Sequence, residues 1–288
     1  SRAISTFEGV TDWTFAKLTL KASSAGFHQT RGGNARIRFI GNSINGVNSS
    51  YGTVGLKGCT ECKILGNHVW NSGKAGNKLA HLIYYGGYGV GANLQIAYNL
   101  LHDERGGRCI QVYGHTDADR LSELSIHDNI IYNCPYDGIL VGSSDAVFKP
   151  WISAASIHHN IVYNSGGGIR INSSGVAAQV FNNTLHNNSV NLKFETAKTV
   201  NAYKNISSLP KSSHASIKIF PTMHGNGWWR GPAPAQGAGH IVSDPLFVNA
   251  TAGDFRLQPE SPMYGLGAIV PPLLPPLPLP PPPACVCP

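Results

Sequence analysis

Three cations recur at one place in three successive copies of a short motif: Arg170 in GIRI (168–171), Lys193 in NLKF (191–194) and Lys218 in SIKI (216–219). Each sits between two apolar residues, so strand alternation turns it away from them. Stacked at strand spacing, about 4.8 Å per copy, the three form a basic stripe roughly 10 Å long. Such a stripe suits an acidic polysaccharide. It also suits lyase chemistry, in which Lys or Arg takes the proton beside a carboxylate and a second cation stabilises the enolate. With Glu195 two residues beyond Lys193, the catalytic candidates are Lys193, Arg170 and Glu195. The matching places in LIYY (82–85) and CIQV (109–112) extend the candidate carbohydrate-binding row to Tyr84, Gln111, Arg170, Lys193 and Lys218. In GILV (138–141) that place is held by Leu140, and His81, Arg108 and Asp137 flank the row. A solvated face or an interface would carry the same residue types.

A second column, Trp70, His102, Tyr132, Tyr163 and His186, can hold sugar rings or cover a wall beneath loops. His127 and His158 share another column. Two imidazoles without a fixed carboxylate are too few for a metal site, and none is expected. Asp103–Glu104–Arg105 and Arg108 lie in and beside long inserted turns, where function and simple solvation look alike.

A repeat positions all of these residues. It reads IRFIGNSI (37–44), CKILGNHV (62–69), LQIAYNLL (94–101), LSIHDNII (124–131), ASIHHNIV (155–162), AQVFNNTL (178–185) and VNAYKNIS (200–207). Its Asn residues, Asn42, Asn67, Asn99, Asn129, Asn160, Asn183 and Asn205, are 22 to 32 residues apart. WTFAKLTL (13–20) fits the same register with Leu18 in place of Asn. Period-two alternation means strands with one buried face. A unit this short cannot bury that face alone, but stacked units can. An Asn at one turn of every unit can bond the backbone and the next Asn, forming a ladder. Composition agrees. Of 288 residues only 13% are charged, about half the usual fraction of roughly 25%. The 23 Asn outnumber the 15 acids, while 42% apolar residues suffice for a core. The net charge is +7. No apolar run reaches the length of a membrane-spanning helix, and no nucleic-acid partner is expected. The start at Ser1 without Met suggests a processed or trimmed chain.

This pattern resembles the right-handed parallel β-helix proteins of the pectate-lyase-like superfamily over roughly residues 10–220. The segment DPLFVNATAGDFRLQPESP (244–262) is similar to the closing segment of many secreted proteins of that group. The resemblance implies an all-β solenoid of about 7–9 coils with an Asn ladder. Residues 1–265 would form the β-helix, with a closing segment from about 209, and residues 266–288 a Pro-rich extended tail. It also implies a substrate groove along the outer face of the first strand. The group's lyases gather several acidic Ca²⁺ ligands there. Asp137 and Glu195, two coils apart, are few for an ion that takes six to eight oxygens. No cofactor is therefore expected, Ca²⁺ being the one a lyase would use.

Six cysteines are present. Cys62 falls on an inward column and is expected as a buried thiol. Cys59 and Cys62 make half a zinc ribbon with no partner half, and Cys285 and Cys287, too close to bond each other easily, look intermolecular or made for distant partners. Glycosylation sequons occur at Asn48, Asn172, Asn182, Asn187, Asn205 and Asn249. Residues 271–288 hold 10 Pro and no charge, and would span about 55 Å as polyproline II. Proline loses little entropy on ordering and leaves no N–H to satisfy. The tail is thus expected to contact another polypeptide.

Two functions follow. The first, preferred on the sequence, is an extracellular or cell-surface structural protein that assembles through residues 271–288 with itself or another extracellular protein. The alternative is an extracellular polysaccharide lyase-like enzyme or binder taking an acidic polysaccharide along the first-strand face.

Overall fold

The computed structural model describes residues 1–87, 89–143, 150–231 and 233–268. Each coil lays down up to three short strands. The first strands run Arg2–Thr6, Ala25–Gln29, Gly52–Lys57, His81–Gly87, Arg108–Gly114 and Asp137–Gly142. They continue in the leading parts of Gly167–Phe181 and Val190–Tyr203 and end at Ser213–Ile217. Neighbours along this series pair in parallel. The third strands form a ten-stranded parallel sheet from Thr19–Leu20 to Ile241–Val242. The fold is the parallel β-helix expected from the repeat.

The core follows the alternation. Ile83, Ile110, Ile139, Ile169 and Leu192 stack in one inward column, all 0% exposed. Tyr85, Val112, Val141, Ile171 and Phe194 stack in the next. Each such side chain contributes about 1.5–3 kcal/mol relative to an exposed one.

The Asn ladder runs through the turn between second and third strands. Asn129 shows its chemistry: Nδ2 donates to Ile96 O at 2.9 Å and to Asn160 Oδ1 at 2.9 Å, while Oδ1 accepts from Asn99 N at 3.1 Å and Asn99 Nδ2 at 2.9 Å. The turn needs a left-handed residue just before each Asn. Gly41, Gly66, Tyr98, Asp128, His159, Asn182, Lys204 and Gly225 supply it, with φ between 50° and 63°. Leu18 occupies the ladder position in the first coil and receives the Asn42 carbonyl on its N–H at 3.0 Å. At the other end the ladder is longer than the repeat suggested. Asn226 accepts from Asn205 N at 2.9 Å and Asn205 Nδ2 at 3.0 Å, and its own N–H meets His240 Nδ1 at 3.2 Å.

The coils therefore run past residue 209, through Ser213–Ile217, Thr222–His224 and Gly227–Trp229. An antiparallel pair, Phe247–Asn249 with Asp254–Leu257, follows them. The ninth first strand also enters two residues earlier than SIKI implied. Lys211 N and Ser212 N bond Asn188 O and Ser189 O, so Leu192 lies opposite Ala215 and Lys193 opposite Ser216.

Cys62 is buried but is not a thiol. It is disulfide-bonded to Cys59, and Cys109 to Cys134 of the next coil, with Cα–Cα distances of 5.9 and 5.8 Å. Asn205 is corrected as a glycosylation site: it is a ladder residue, 0% exposed, with its amide bonded to Val180 O and Asn226 Oδ1. A glycan there would break the stack. The tail at 271–288, with Cys285 and Cys287, lies outside the described residues.

Candidate functional site

Register places Tyr84, Gln111, Leu140, Arg170 and Lys193 in one outward row, as expected. Lys218 is not in it. It lies two residues beyond Ser216, where its N–H bonds Phe194 O at 2.8 Å. The remaining cations do not form a bare basic stripe. Asp137, with its side chain 3% exposed, sits under them. Its Oδ1 takes Lys193 Nζ at 3.0 Å and its Oδ2 takes Arg108 Nε at 3.2 Å, with Arg170 Nη1 at 3.7 Å. Glu195 takes Arg170 Nε at 3.0 Å. Glu195 is the extra residue of a bulge, since Ile171 pairs Phe194 while Asn172 pairs Thr196. Gly167 makes the arrangement fit. A Cβ there would come within 2.3 Å of Asp137 Oδ1 and 3.0 Å of Lys193 Nζ.

Above the row opens a cleft of about 450 Å³. Tyr84, Gln111, Leu140 and Arg170 form its floor, with Tyr51, Lys78 and Leu79 on one side and Tyr113, His115 and Asn172 on the other. Leu140 points outward but is only 3% exposed, because its neighbours close over it. Gln111 Oε1 accepts from Arg108 Nη1 at 3.0 Å. Among the described residues, the lining holds Lys78, Arg108 and Arg170 and no carboxylate.

Two histidines add proton chemistry. Burial, then the nearby Arg108 charge, pushes His81 down to about 3, so it is neutral. Its Nδ1 accepts from Arg108 N at 3.3 Å, which puts the ring proton on Nε2. His81 stacks on Tyr84 at 5.5 Å. Tyr84 in turn bonds His115 through its hydroxyl, and burial lowers the His115 pKa. A neutral imidazole coupled to a phenol can accept a proton from a ligand and pass it on.

The inserted turns brace this cleft. Arg105 Nε donates to Gly73 O at 2.9 Å and its Nη2 to Val47 O at 3.2 Å. Glu104 is buried and bonds Gly106 N at 2.6 Å. Asp103 takes His102 Nδ1 at 2.7 Å. These side chains hold turns together rather than tipping them.

The other columns are packed walls. His127 and His158 stack at 4.9 Å, and the stack continues through Phe181, Tyr203 and His224. In the third strands, His102, Tyr132 and Tyr163 stack at 4.6 and 4.8 Å, and Phe255 covers Tyr163. Asp137 and Glu195 do not fit calcium. Both Asp137 oxygens and one from Glu195 are held by Lys or Arg, which leaves too few donors for a hard cation.

A family model described as "Disaggregatase related" matches residues 121–219, which include Asp137, Arg170, Lys193 and Glu195. Among solved structures, the periplasmic alginate epimerase AlgG is similar, with 11% identity and a TM-score of 0.49. The match covers 75% of this chain and 61% of that chain, so this chain spans about three-fifths of its length. Among curated proteins, none matches. The family match and the parallel sheets bear out the resemblance to pectate-lyase-like β-helix proteins.

Proposed function

We propose that this parallel β-helix is an extracellular protein that binds an acidic polysaccharide in the first-strand cleft. The observation that carries the reading is the lining itself: three cations, no carboxylate among the described residues, and three tyrosines. Arg108 is braced on Asp137 and Arg170 on Glu195 while both reach the cleft, so their guanidinium planes are oriented before a ligand arrives. Oriented guanidinium groups favour carboxylates, and tyrosine faces favour sugar rings. Two disulfides support an oxidising compartment. Assembly through residues 271–288 rests on composition alone, and the cleft moves the preference to the polysaccharide reading.

His115 and Tyr84 stand ready to take the proton beside a uronate carboxylate held by Arg108, which bonds Gln111 one coil from Tyr84. Arg170, three coils from Tyr84, would hold another uronate of the chain. Lyase action would then release an unsaturated product that absorbs in the ultraviolet. The test is calorimetry with a panel of uronate polymers at low and high salt, with absorbance followed in parallel. Expected are binding that salt weakens and roughly tenfold weaker binding in Arg170→Ala and Arg108→Ala. Binding without an absorbance change would make the protein a binder. No binding by any uronate polymer would remove the reading.

A further inference from the structure

The third-strand outward column is aromatic in every coil from Trp70 to His186, and then it breaks. Register continues it from His186 to Ser208 and on to Trp229. One ring position is thus filled by a hydroxymethyl group, with an aromatic residue one coil to either side. Two coil rises separate His186 from Trp229, about 9.6 Å at strand spacing. His186 turns its Nδ1 edge toward Ser208, and Phe247 and Phe255 pack against its ring at centroid distances of 6.0 and 5.2 Å. Trp229 is thus the ring left for a ligand to stack on. At this break lies a cavity of about 320 Å³, lined by His186, Ser208, Trp229, Asp244, Phe247 and Gln258 among others. That volume is at the small end for ligand sites, which start near 300 Å³.

The polar groups at the cavity are partly committed and partly spare. Ser208 Oγ lies 3.3 Å from His186 Nδ1. Asp244 Oδ1 accepts from Leu246 N at 2.9 Å, and no hydrogen bond within the described residues engages Oδ2. Gln258 Nε2 donates to Phe247 O at 3.2 Å, which leaves Oε1 as an acceptor. Burial pushes His186 down to about 4, so its ring is neutral. Spare acceptors beside aromatic walls select a ligand rich in hydroxyl donors and without negative charge. The closing segment matters here, because Asp244, Phe247 and Gln258 all come from it.

We propose that this gap is a binding slot for a single neutral pyranose residue, separate from the first-strand cleft and independent of what that cleft binds. The test uses the full chain and a panel of methyl glycosides of neutral hexoses, read by saturation-transfer NMR and tryptophan fluorescence. At least one glycoside should receive saturation and shift the emission. Trp229→Ala should weaken its binding about tenfold, the worth of one stacked ring. Asp244→Asn should weaken it by several-fold, and Arg170→Ala should leave it unchanged. If Trp229→Ala fails to fold in a thermal melt, the half-buried Asp244→Asn decides alone. The proposal is overturned if no glycoside binds at tens of millimolar, if Asp244→Asn binds as the wild type does, or if Arg170→Ala abolishes binding.

Discussion

The Asn ladder and the first-strand row are both columns of polar side chains stacked at coil spacing, yet they behave differently. From Asn42 to Asn226 the ladder repeats one residue, each 0–1% exposed, and every amide from Asn42 to Asn205 is bonded to the Asn of the next coil. The row changes at each step: Tyr84, Gln111, Leu140, Arg170, Lys193. A buried column meets the same problem in every coil, so one residue answers it throughout. An outward column needs no particular residue for stacking. Its departures from uniformity are therefore where specific chemistry can sit. Arg170 and Lys193 are adjacent like charges that stacking alone would disfavour. Asp137 and Glu195 offset them, and the result is an oriented cationic floor rather than a bare stripe.

The comparison is broken most directly in the ladder. Asn129→Ala strands the Ile96 carbonyl and the Asn99 amide in the core, so denaturant melts should show a loss of about 3–5 kcal/mol. A loss under about 1 kcal/mol would mean that the ladder decorates a stack held by its apolar columns. In the row, Asp137→Asn removes the shared anchor of Arg108, Arg170 and Lys193. Those cations are partly solvated, so the stability loss should be only about 1–2 kcal/mol. Polysaccharide binding should weaken even though net charge rises by one. Tighter binding would show that charge, and not orientation, governs the cleft.

The brace beneath the cleft rim can be read by pH. Burial pushes the Glu104 carboxyl up to about 7, against the opposing N–H groups of Gly107 and Gly106. A raised value means the folded state prefers the neutral acid. Its contribution is full below the unfolded value near 4.5 and is lost as pH rises through about 7. Between about pH 5 and pH 8 the wild type should lose Tm relative to Glu104→Gln. Parallel curves for the two proteins would remove Glu104 from the brace. The smallest effect is expected at Lys218. Lys218→Ala should change stability by less than about 0.5 kcal/mol and leave binding untouched. A loss matching that of Arg170→Ala would mean that Lys193 faces Lys218 and not Ser216.

The site was half legible in the sequence. Period-two alternation located Tyr84, Gln111, Arg170 and Lys193 because each lies inside a strand, where alternation fixes direction. Lys218 was misplaced because SIKI repeats the apolar pattern one step late, and register in that coil is set upstream by Lys211 and Ser212. His115 and Lys78 carried no strand signal toward the cleft, since inserted turns bring them there, whereas Tyr113 and Asn172 continue the outward alternation two residues past Gln111 and Arg170. Asn226 had a signal, the segment TMHGNGWW (222–229), which has the same spacing as the earlier copies.

By itself the sequence determined the solenoid, its inward columns and most of its ladder. Those features depend on local periodicity and on one residue repeated at one turn, and both are written along the chain. Only the tertiary structure decided that Asp137 holds three cations, that Cys59 and Cys109 have disulfide partners, and that Ser208 leaves a gap between two aromatic residues. Each depends on which residue of one coil lies above which residue of the next. Coil lengths vary with their inserted turns, so that vertical alignment exists only once the coils are stacked.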